Sequence, residues 1–367
     1  MDEEALLYQI ALTRVSGIGD VLGKKLVRHC GSAQAVFREK RKFIQRIPRV
    51  GRHLYNALDD PEAMTFAEKE LRFIKKHRIR PLFFMDPGYP VRLKNCLDSP
   101  VLMYFKGNAD LNARRVIAIV GTRRATDYGR EVCHDLVAGL SGPDTLIVSG
   151  LAYGIDGCAH RASLEQNMTT IAVLGHGLDR IYPETHRSLA EKMINQGGLL
   201  TDFPSGTIPD RENFPSRNRI IAGLCDAVVV VEAAGKGGAL ITAEIANSYN
   251  RDVFAVPGRI TDQYSEGTNR LIRTNKAALV QSAQDIRYMM GWDPDNIARP
   301  PVQRKLFIEL TGNEKKIVDI LQNKGETGID DLCIEAGLKM SVVSAALLNL
   351  EFEGIVKSIP GKVYAMV

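Results

Sequence analysis

No apolar run in this 367-residue chain approaches the roughly 20 residues that a membrane-spanning helix needs. The acidic start Met1-Asp2-Glu3-Glu4-Ala5 lacks the basic flank and apolar core of a secretory signal. A cytoplasmic protein with no membrane partner is expected. Cysteine is sparse: Cys30, Cys96, Cys133, Cys158, Cys225 and Cys333 include no C-x-x-C. That excludes a zinc knuckle and a dithiol motif of that spacing, and it predicts reduced, mostly buried thiols. Cys158-x-His160 and the pair His176 and His186 fall short of a full ligand set, so no metal is expected. No Gly-x-Ser-x-Gly elbow anchors a Ser-His-Asp arrangement, so no catalytic residue is assigned. Both nucleotide fingerprints, G-x-G-x-x-G and G-x-x-x-x-G-K-[ST], are missing, and no cofactor is expected.

With 45% hydrophobic and 25% charged residues, the composition is that of a globular protein, and the length suggests two or three domains. The net charge of +5 is uneven, with 17 Lys+Arg against 10 Asp+Glu in residues 1–80, 25 against 25 in 81–311, and 6 against 8 in 312–367. The excess base therefore sits at the N-terminus. There the pattern predicts short helices over 5–13 and 21–29, joined by the turn Val15-Ser16-Gly17-Ile18-Gly19-Asp20, with a weaker copy at 47–52 leading into 53–58. An apolar-x-Gly-apolar-Gly turn before a helix carrying Lys24 and Lys25 is similar to the helix-hairpin-helix element. In that reading the glycines bring amides to a phosphate and the lysines supply countercharge. The alternative is a helical turn in a small bundle with a solvated basic face.

From Arg115 to Asn250 one device recurs four times. A short β-branched run stops at a glycine or small acidic loop, and a polar segment opens a helix. The runs are 116–120 before Gly121-Thr122-Arg123-Arg124, 145–148 before Ser149-Gly150-Leu151-Ala152-Tyr153-Gly154, 171–174 before Gly175-His176-Gly177, and 228–231 before Glu232 and Gly235-Lys236-Gly237-Gly238. Unalternating apolar runs of this length predict parallel strands buried on both faces. Each following helix presents amides and a positive dipole end, so several anion pockets should line one sheet edge. Residues 252–256 and 278–280 predict further parallel strands, and 82–85 and 101–105 extra ones. The Pro-rich stretch 292–311 reads as a linker. Beyond it, three helical patterns (314–323, 329–336, 340–352) and two short strands around Pro360-Gly361 outline a winged helix. Its third helix carries no Lys or Arg, which favours a protein-contact or structural role over base reading.

Within the loops, Gly121 permits close approach, Thr122 offers a hydroxyl, and Arg123 and Arg124 offer bidentate phosphate contacts. Asp156 and His160, four apart on one helix, admit either an acid/base pair or a structural bond. Phe214, Arg217, Asn218 and Arg219 combine charge, amide and a stacking face, as single-strand binding requires. Gly237 and Gly238 open a helix beside Lys236, with Thr242 one turn in.

Taken in order, these segments resemble the DNA-processing protein A family, also called DprA or Smf. The resemblance rests on Val120-Gly121-Thr122-Arg123 with Tyr128-Gly129, Ser149 to Asp156, Ile181-Tyr182-Pro183, Phe214 to Gly223, Phe254 to Gly258 and Glu266 to Ile272, and it covers nearly the whole chain. It implies an α/β protein with an extended Rossmann-like parallel sheet core (81–291). A helical, SAM-like or helix-hairpin-helix-like N-terminal domain (1–80) would precede the core, and a winged-helix domain (312–367) would follow the linker. It also implies single-stranded DNA binding on the Rossmann-like domain, homodimerisation through that domain, and loading of the RecA recombinase in natural transformation. The DNA-binding residues expected are Gly121, Thr122, Arg123, Arg124, Gly150, Tyr153, Gly154, Phe214, Arg217, Asn218, Arg219, Lys236, Gly237, Gly238 and Thr242. Two positions depart from the family pattern. Gly237-Gly238-Ala239 replaces Ser-Gly-Ser, removing two hydroxyls and shifting phosphate contact toward Lys236. Asn275-Lys276 replaces Gly-Ala after the 266–272 helix, a mild change because Asn tolerates a left-handed backbone.

Two rivals stay open. Gly-Gly-x-x-x-Thr-x-Glu at 237–244 also looks like the phosphate loop of nucleotide phosphoribohydrolases, which would make Glu244 catalytic, although no proline precedes Gly237. A duplex-binding regulator acting through the winged helix is the other. The missing nucleotide fingerprints favour a polymer laid across several loops over a cofactor held in one.

Overall fold

The computed structural model describes residues 2–39, 52–59, 61–292 and 310–367. Nine strands form one sheet: β1 (Arg80–Phe83), β2 (Leu102–Gly107), β3 (Arg115–Val120), β4 (Thr145–Ser149), β5 (Thr169–Val173), β6 (Gly197–Thr201), β7 (Ala227–Val230), β8 (Asp252–Ala255) and β9 (Ala278–Leu279). Their spatial order is β1-β2-β6-β5-β4-β3-β7-β8-β9. From β6 to β9 every pairing is parallel, while β2 runs antiparallel to β6 and β1 antiparallel to β2.

The unalternating runs are explained by two cores. Val116, Ala118 and Val120 pack on one face with Val148, Val173 and Val230, whereas Ile117 and Ile119 pack on the other with Ile147, Val229 and Phe254. Each such side chain, withdrawn fully from water, contributes roughly 1.5–3 kcal/mol, so both faces require apolar residues at every position. The strand β6 was not anticipated, because Gly197-Gly198-Leu199-Leu200-Thr201 reads as a turn. Its glycines are needed for packing: a Cβ on Gly198 would lie 2.5 Å from the Phe105 ring on β2.

The N-terminal helices are Glu3–Leu12, Asp20–Cys30, Ala33–Arg38, Arg52–Leu58 and Pro61–His77. The second of them docks onto the sheet. Lys24 is buried, and its ammonium donates to Leu97 O at 2.8 Å, Ser99 Oγ at 2.7 Å and Cys96 O at 3.5 Å. Asp20 accepts from the Val101 amide at 2.8 Å. The phosphate reading of this hairpin is therefore corrected for Lys24: its donors are spent on the segment that leads into β2, and burial holds its pKa down to about 8. The glycine turn proposed as a second copy lies outside the described residues.

The C-terminal unit has helices Gly312–Lys324, Ile329–Ala336 and Met340–Phe352 and a small sheet of β10 (Thr327–Gly328), β11 (Val356–Ile359) and β12 (Val363–Met366), ordered β10-β12-β11. This is the winged helix that the pattern outlined, with its own core of Ile317, Leu321, Leu332, Val343, Leu347 and Leu350. It touches the sheet where Arg251 Nη1 donates to Pro360 O at 3.1 Å. Residues 293–309, most of the expected linker, lie outside the described residues. Among the described residues no helix is long and apolar enough to cross a membrane.

Candidate nucleic-acid interface

From β3 the chain moves outward through β4, β5 and β6 on one side, and later through β7, β8 and β9 on the other. The loops leaving the C-terminal ends of β3 and β7 therefore diverge and leave a crevice, the usual ligand position in a doubly wound sheet. A cleft of about 400 Å3 lies there. Its walls are Gly121 to Arg124 after β3, Ala152 and Asp156 after β4, Phe214, Arg217 and Asn218 from the helix Asn213–Leu224, and Lys236, Gly237, Gly238 and Thr242 after β7.

Glycine makes this convergence possible. A Cβ on Gly121 would meet the Ile155 side chain, and one on Gly150 would collide with the Arg217 guanidinium and Asp156. Gly154 has φ +76° and sits against the backbone of Thr122 and Arg123, where no side chain fits. The Thr122 amide donates to Glu232 O at 2.7 Å, tying the first loop to the end of β7. Arg123 is exposed and lies over the Phe214 ring, 5.2 Å from its centroid. Arg124 and Lys236 are exposed, and among the described residues neither forms an ion pair with a carboxylate. Tyr153, also exposed, stands with Tyr182, His176 and Phe214 around a narrower adjoining pocket that shares Arg123 and Arg217.

Arg217 forms the floor. It is 5% exposed, Nη1 donates to Val173 O, and Nε has no partner among the described residues. Burial lowers its pKa while the charge of Asp156 opposes the shift; burial raises that of Asp156 while Arg217 opposes it. The result is a buried cation with donor capacity left over, facing the cleft, and a single carboxylate beneath it.

The helix ends behave differently from one another. Thr126 caps the helix Asp127–Gly139, accepting from the Gly129 amide, and the Glu232 carboxylate accepts from the Thr126 amide at 3.0 Å and its hydroxyl at 2.5 Å. That terminus is closed to an outside anion, contrary to the expectation for the loop after β3. The helix Gly238–Ser248 has Gly237 at its start and no side-chain cap, so its first amides stay open beside Lys236.

Three residues expected at the site, Arg219, Thr242 and Asn218, spend their polar groups within the fold. Arg219 does not line the cleft. Its guanidinium pairs with Asp202 at 2.7 Å and Asp20 at 2.9 Å and donates to Asp98 O, so its charge is already neutralised. Thr242 lines the cleft, but its hydroxyl proton goes to Gly238 O at 3.0 Å within its own helix. Asn218 likewise donates to Gly238 O, at 3.3 Å, and so fixes the loop more than it reaches outward. His160 is structural: Nε2 bonds Gly150 O at 2.5 Å, Nδ1 faces Thr170 Oγ1 at 2.8 Å, and burial drops its pKa to about 4, leaving it neutral. Glu244 lies outside the cleft as an exposed carboxylate paired with Lys276 at 3.3 Å, a poor position for a catalytic group. Glu232, which clamps two cleft loops, was not singled out beforehand; its position just past β7 was the available signal.

Two family models match the chain: DNA recombination-mediator protein A over residues 80–291 and the DprA winged helix domain over residues 306–362. A Synechocystis protein called Smf is 33% identical over 97% of this chain and 98% of its own. The crystal structure of DNA processing protein A from Streptococcus pneumoniae aligns with TM-score 0.62 and 32% identity over 77% of this chain and 97% of that one. DNA processing protein A from Helicobacter pylori, described for its single-stranded DNA binding mode, aligns with TM-score 0.53 and 28% identity over 58% of this chain and 95% of that one. With its strand order, its winged helix and both family matches in agreement, this chain belongs to the DNA recombination-mediator protein A family.

Proposed function

We propose that the chain binds single-stranded DNA across the switch-point cleft, acts as a homodimer assembled through the sheet domain, and passes the strand to a RecA recombinase. The observation that carries the DNA reading is the charge of the cleft: Arg123, Arg124, Arg217 and Lys236 converge there against one buried carboxylate, Asp156. An uncapped helix start at Gly237 and Gly238 adds amides. Arg123, Arg124 and Lys236 neutralise successive phosphates, Arg217 holds one at the floor, and Phe214 and Tyr153 offer rings for base stacking. The similarity to the Helicobacter pylori protein supports a single strand over a duplex as the ligand. Homodimerisation and recombinase delivery belong to the same proposal, and membership of the family supports them.

The test is fluorescence anisotropy of labelled single-stranded and duplex oligomers over a salt series. Four phosphate contacts to a single strand predict a slope of log K against log salt of about −3, at about 0.7 per phosphate. Arg123→Glu should weaken binding and flatten the slope; an unchanged slope would sink the assignment. Recombinase delivery is read separately, as faster RecA filament nucleation on a strand precoated with single-strand-binding protein. The rival hydrolase predicts release of free base from a nucleoside monophosphate, lost in Glu244→Gln.

A further inference from the structure

Two of the six cysteines meet across the helices that follow β3 and β4. Cys133, on Asp127–Gly139, donates to Ile155 O at 3.9 Å, and Cys158, on Ile155–Glu165, donates to Arg130 O at 3.5 Å. Each thiol thus bonds the carbonyl three residues before the other cysteine, which sets the two side chains against each other across the helix pair. Their environments differ. Cys133 is fully buried at 0% exposure, while Cys158 is half-buried and opens toward solvent. The exposed guanidiniums of Arg130 and Arg161 and the His134 ring lie near Cys158, with Asp127 paired to Arg130 and with Asp135 and Glu165 beside His134. The neighbouring Cys133 and the guanidinium charges hold the Cys158 thiol down against the opposing effect of burial, while Cys158 and burial push Cys133 up. The outer sulfur is therefore the one an oxidant can reach, and the inner one lies across the helix pair from it, the arrangement of an attacking thiol beside its resolving partner. The other four are differently placed. Cys30 and Cys333 are half-buried and shifted upward by burial, and Cys96 and Cys225 are buried.

We propose that Cys158 is a peroxide-reactive thiol and that Cys133 resolves it, closing a disulfide between the two helices. The oxidant is hydrogen peroxide. The Cys158 thiolate attacks one peroxide oxygen, the O–O bond breaks, and the sulfur becomes a sulfenic acid as the other oxygen leaves as water after protonation. Cys133 then attacks that sulfur, the S–S bond forms, the S–O bond breaks, and a second water leaves. Two thiols supply the two electrons that reduce one peroxide. The disulfide ties together the helices whose leading loops wall the cleft, and those loops already touch where the Ile155 amide donates to Thr122 O at 3.1 Å. Oxidation would thus hold the cleft walls at a fixed spacing. The thiol chemistry does not depend on what the cleft binds.

The full-length protein, reduced and desalted, is treated with stoichiometric hydrogen peroxide at neutral pH, alkylated under denaturing conditions and mapped by peptide mass spectrometry. The expected result is a joined Cys133–Cys158 peptide, with the other four thiols still alkylated. With dimedone present, Cys133→Ala should accumulate label on Cys158, and Cys158→Ser should yield no joined peptide. The relative rates at which a limiting maleimide labels the wild-type cysteines give a reading that needs no variant. Cys158 reacting no faster than Cys30 and Cys333, or joined peptides that pair other cysteines, would overturn the proposal. Single-strand affinity before and after oxidation is a separate readout: an intact disulfide with unchanged affinity overturns only the coupling to the cleft.

Discussion

At the N-terminal junction, Gly19 opens the helix Asp20–Cys30, and Lys24 and Arg219 gather at its first turn. At the switch-point cleft, Gly237 opens the helix Gly238–Ser248, and Lys236, Arg123 and Arg217 gather there. Both regions combine a glycine start, a positive helix end and cations. At the junction Asp20 and Asp202 meet Arg219, and backbone carbonyls with Ser99 take the protons of Lys24, so the charge is consumed in holding two parts of the fold together. At the cleft the one carboxylate, Asp156, lies beneath Arg217, and the remaining cations face solvent. Arg217 and Arg219 make the contrast sharpest. Two residues apart on one helix, they project about 200° apart around its axis, one toward each region. An arginine becomes a ligand-binding group only where the fold withholds carboxylates from it.

The strongest challenge to this contrast is Arg217→Met. Removing the buried guanidinium takes from Asp156 the larger of the two positive charges that act on it, Arg217 and Arg123, at a cost of about 3 kcal/mol, and empties the cleft floor. Urea unfolding should show the stability loss, and anisotropy should show single-strand binding lost as well. A variant that binds normally would mean the floor is not part of the interface. Arg219→Met should lose a comparable but smaller amount, about 2 kcal/mol, because Asp20 is partly solvated. Once the protein is folded, its salt slope for single strands should match the wild type. A flattened slope there would erase the distinction between the two arginines.

Lys24 gives a smaller, pH-dependent test. Its folded pKa of about 8 lies below the ordinary value of 10.5, so between those values the unfolded chain binds more protons than the folded one. Stability from this group therefore rises with pH through that window, and the penalty is fully present below it. Measured as the difference between wild type and Lys24→Met, stability should shift toward the wild type from about pH 7 to about pH 10. A flat difference would show that Lys24 is not held in a desolvated site.

The strands β3, β4, β5, β7 and β8 were legible because burial on both faces leaves a mark in local composition. The glycine loops were legible for a similar reason, since only glycine tolerates the approach of Gly154 to Thr122 and Arg123. The strand β6 was not, because its two glycines are explained only by neighbours distant in sequence, among them Phe105. Nor was the fate of Arg219: Asp20 lies 199 residues away and Asp202 lies 17, and no periodicity links them. Thr242 misled for a local reason, as a helical threonine readily returns its hydroxyl to the carbonyl four residues back.

The smallest expected effect comes from removing residues 310–367. The winged helix meets the sheet through Arg251, which immediately precedes β8 and so lies at the N-terminal edge of the parallel strands. The cleft lies at their C-terminal edge, beyond β3 and β7. Arg251 also donates to Arg92 O at 2.8 Å and Gly223 O at 3.3 Å, so truncation costs it one of three acceptors, which water can replace for about 1 kcal/mol or less. The third helix, Met340–Phe352, brings no Lys or Arg to a phosphate. Single-strand affinity and its salt slope should therefore stay at the wild-type values after truncation, measured by the same anisotropy titration. A large loss would instead support a winged helix that binds nucleic acid directly, and it would require the cations at the cleft to serve a different anion.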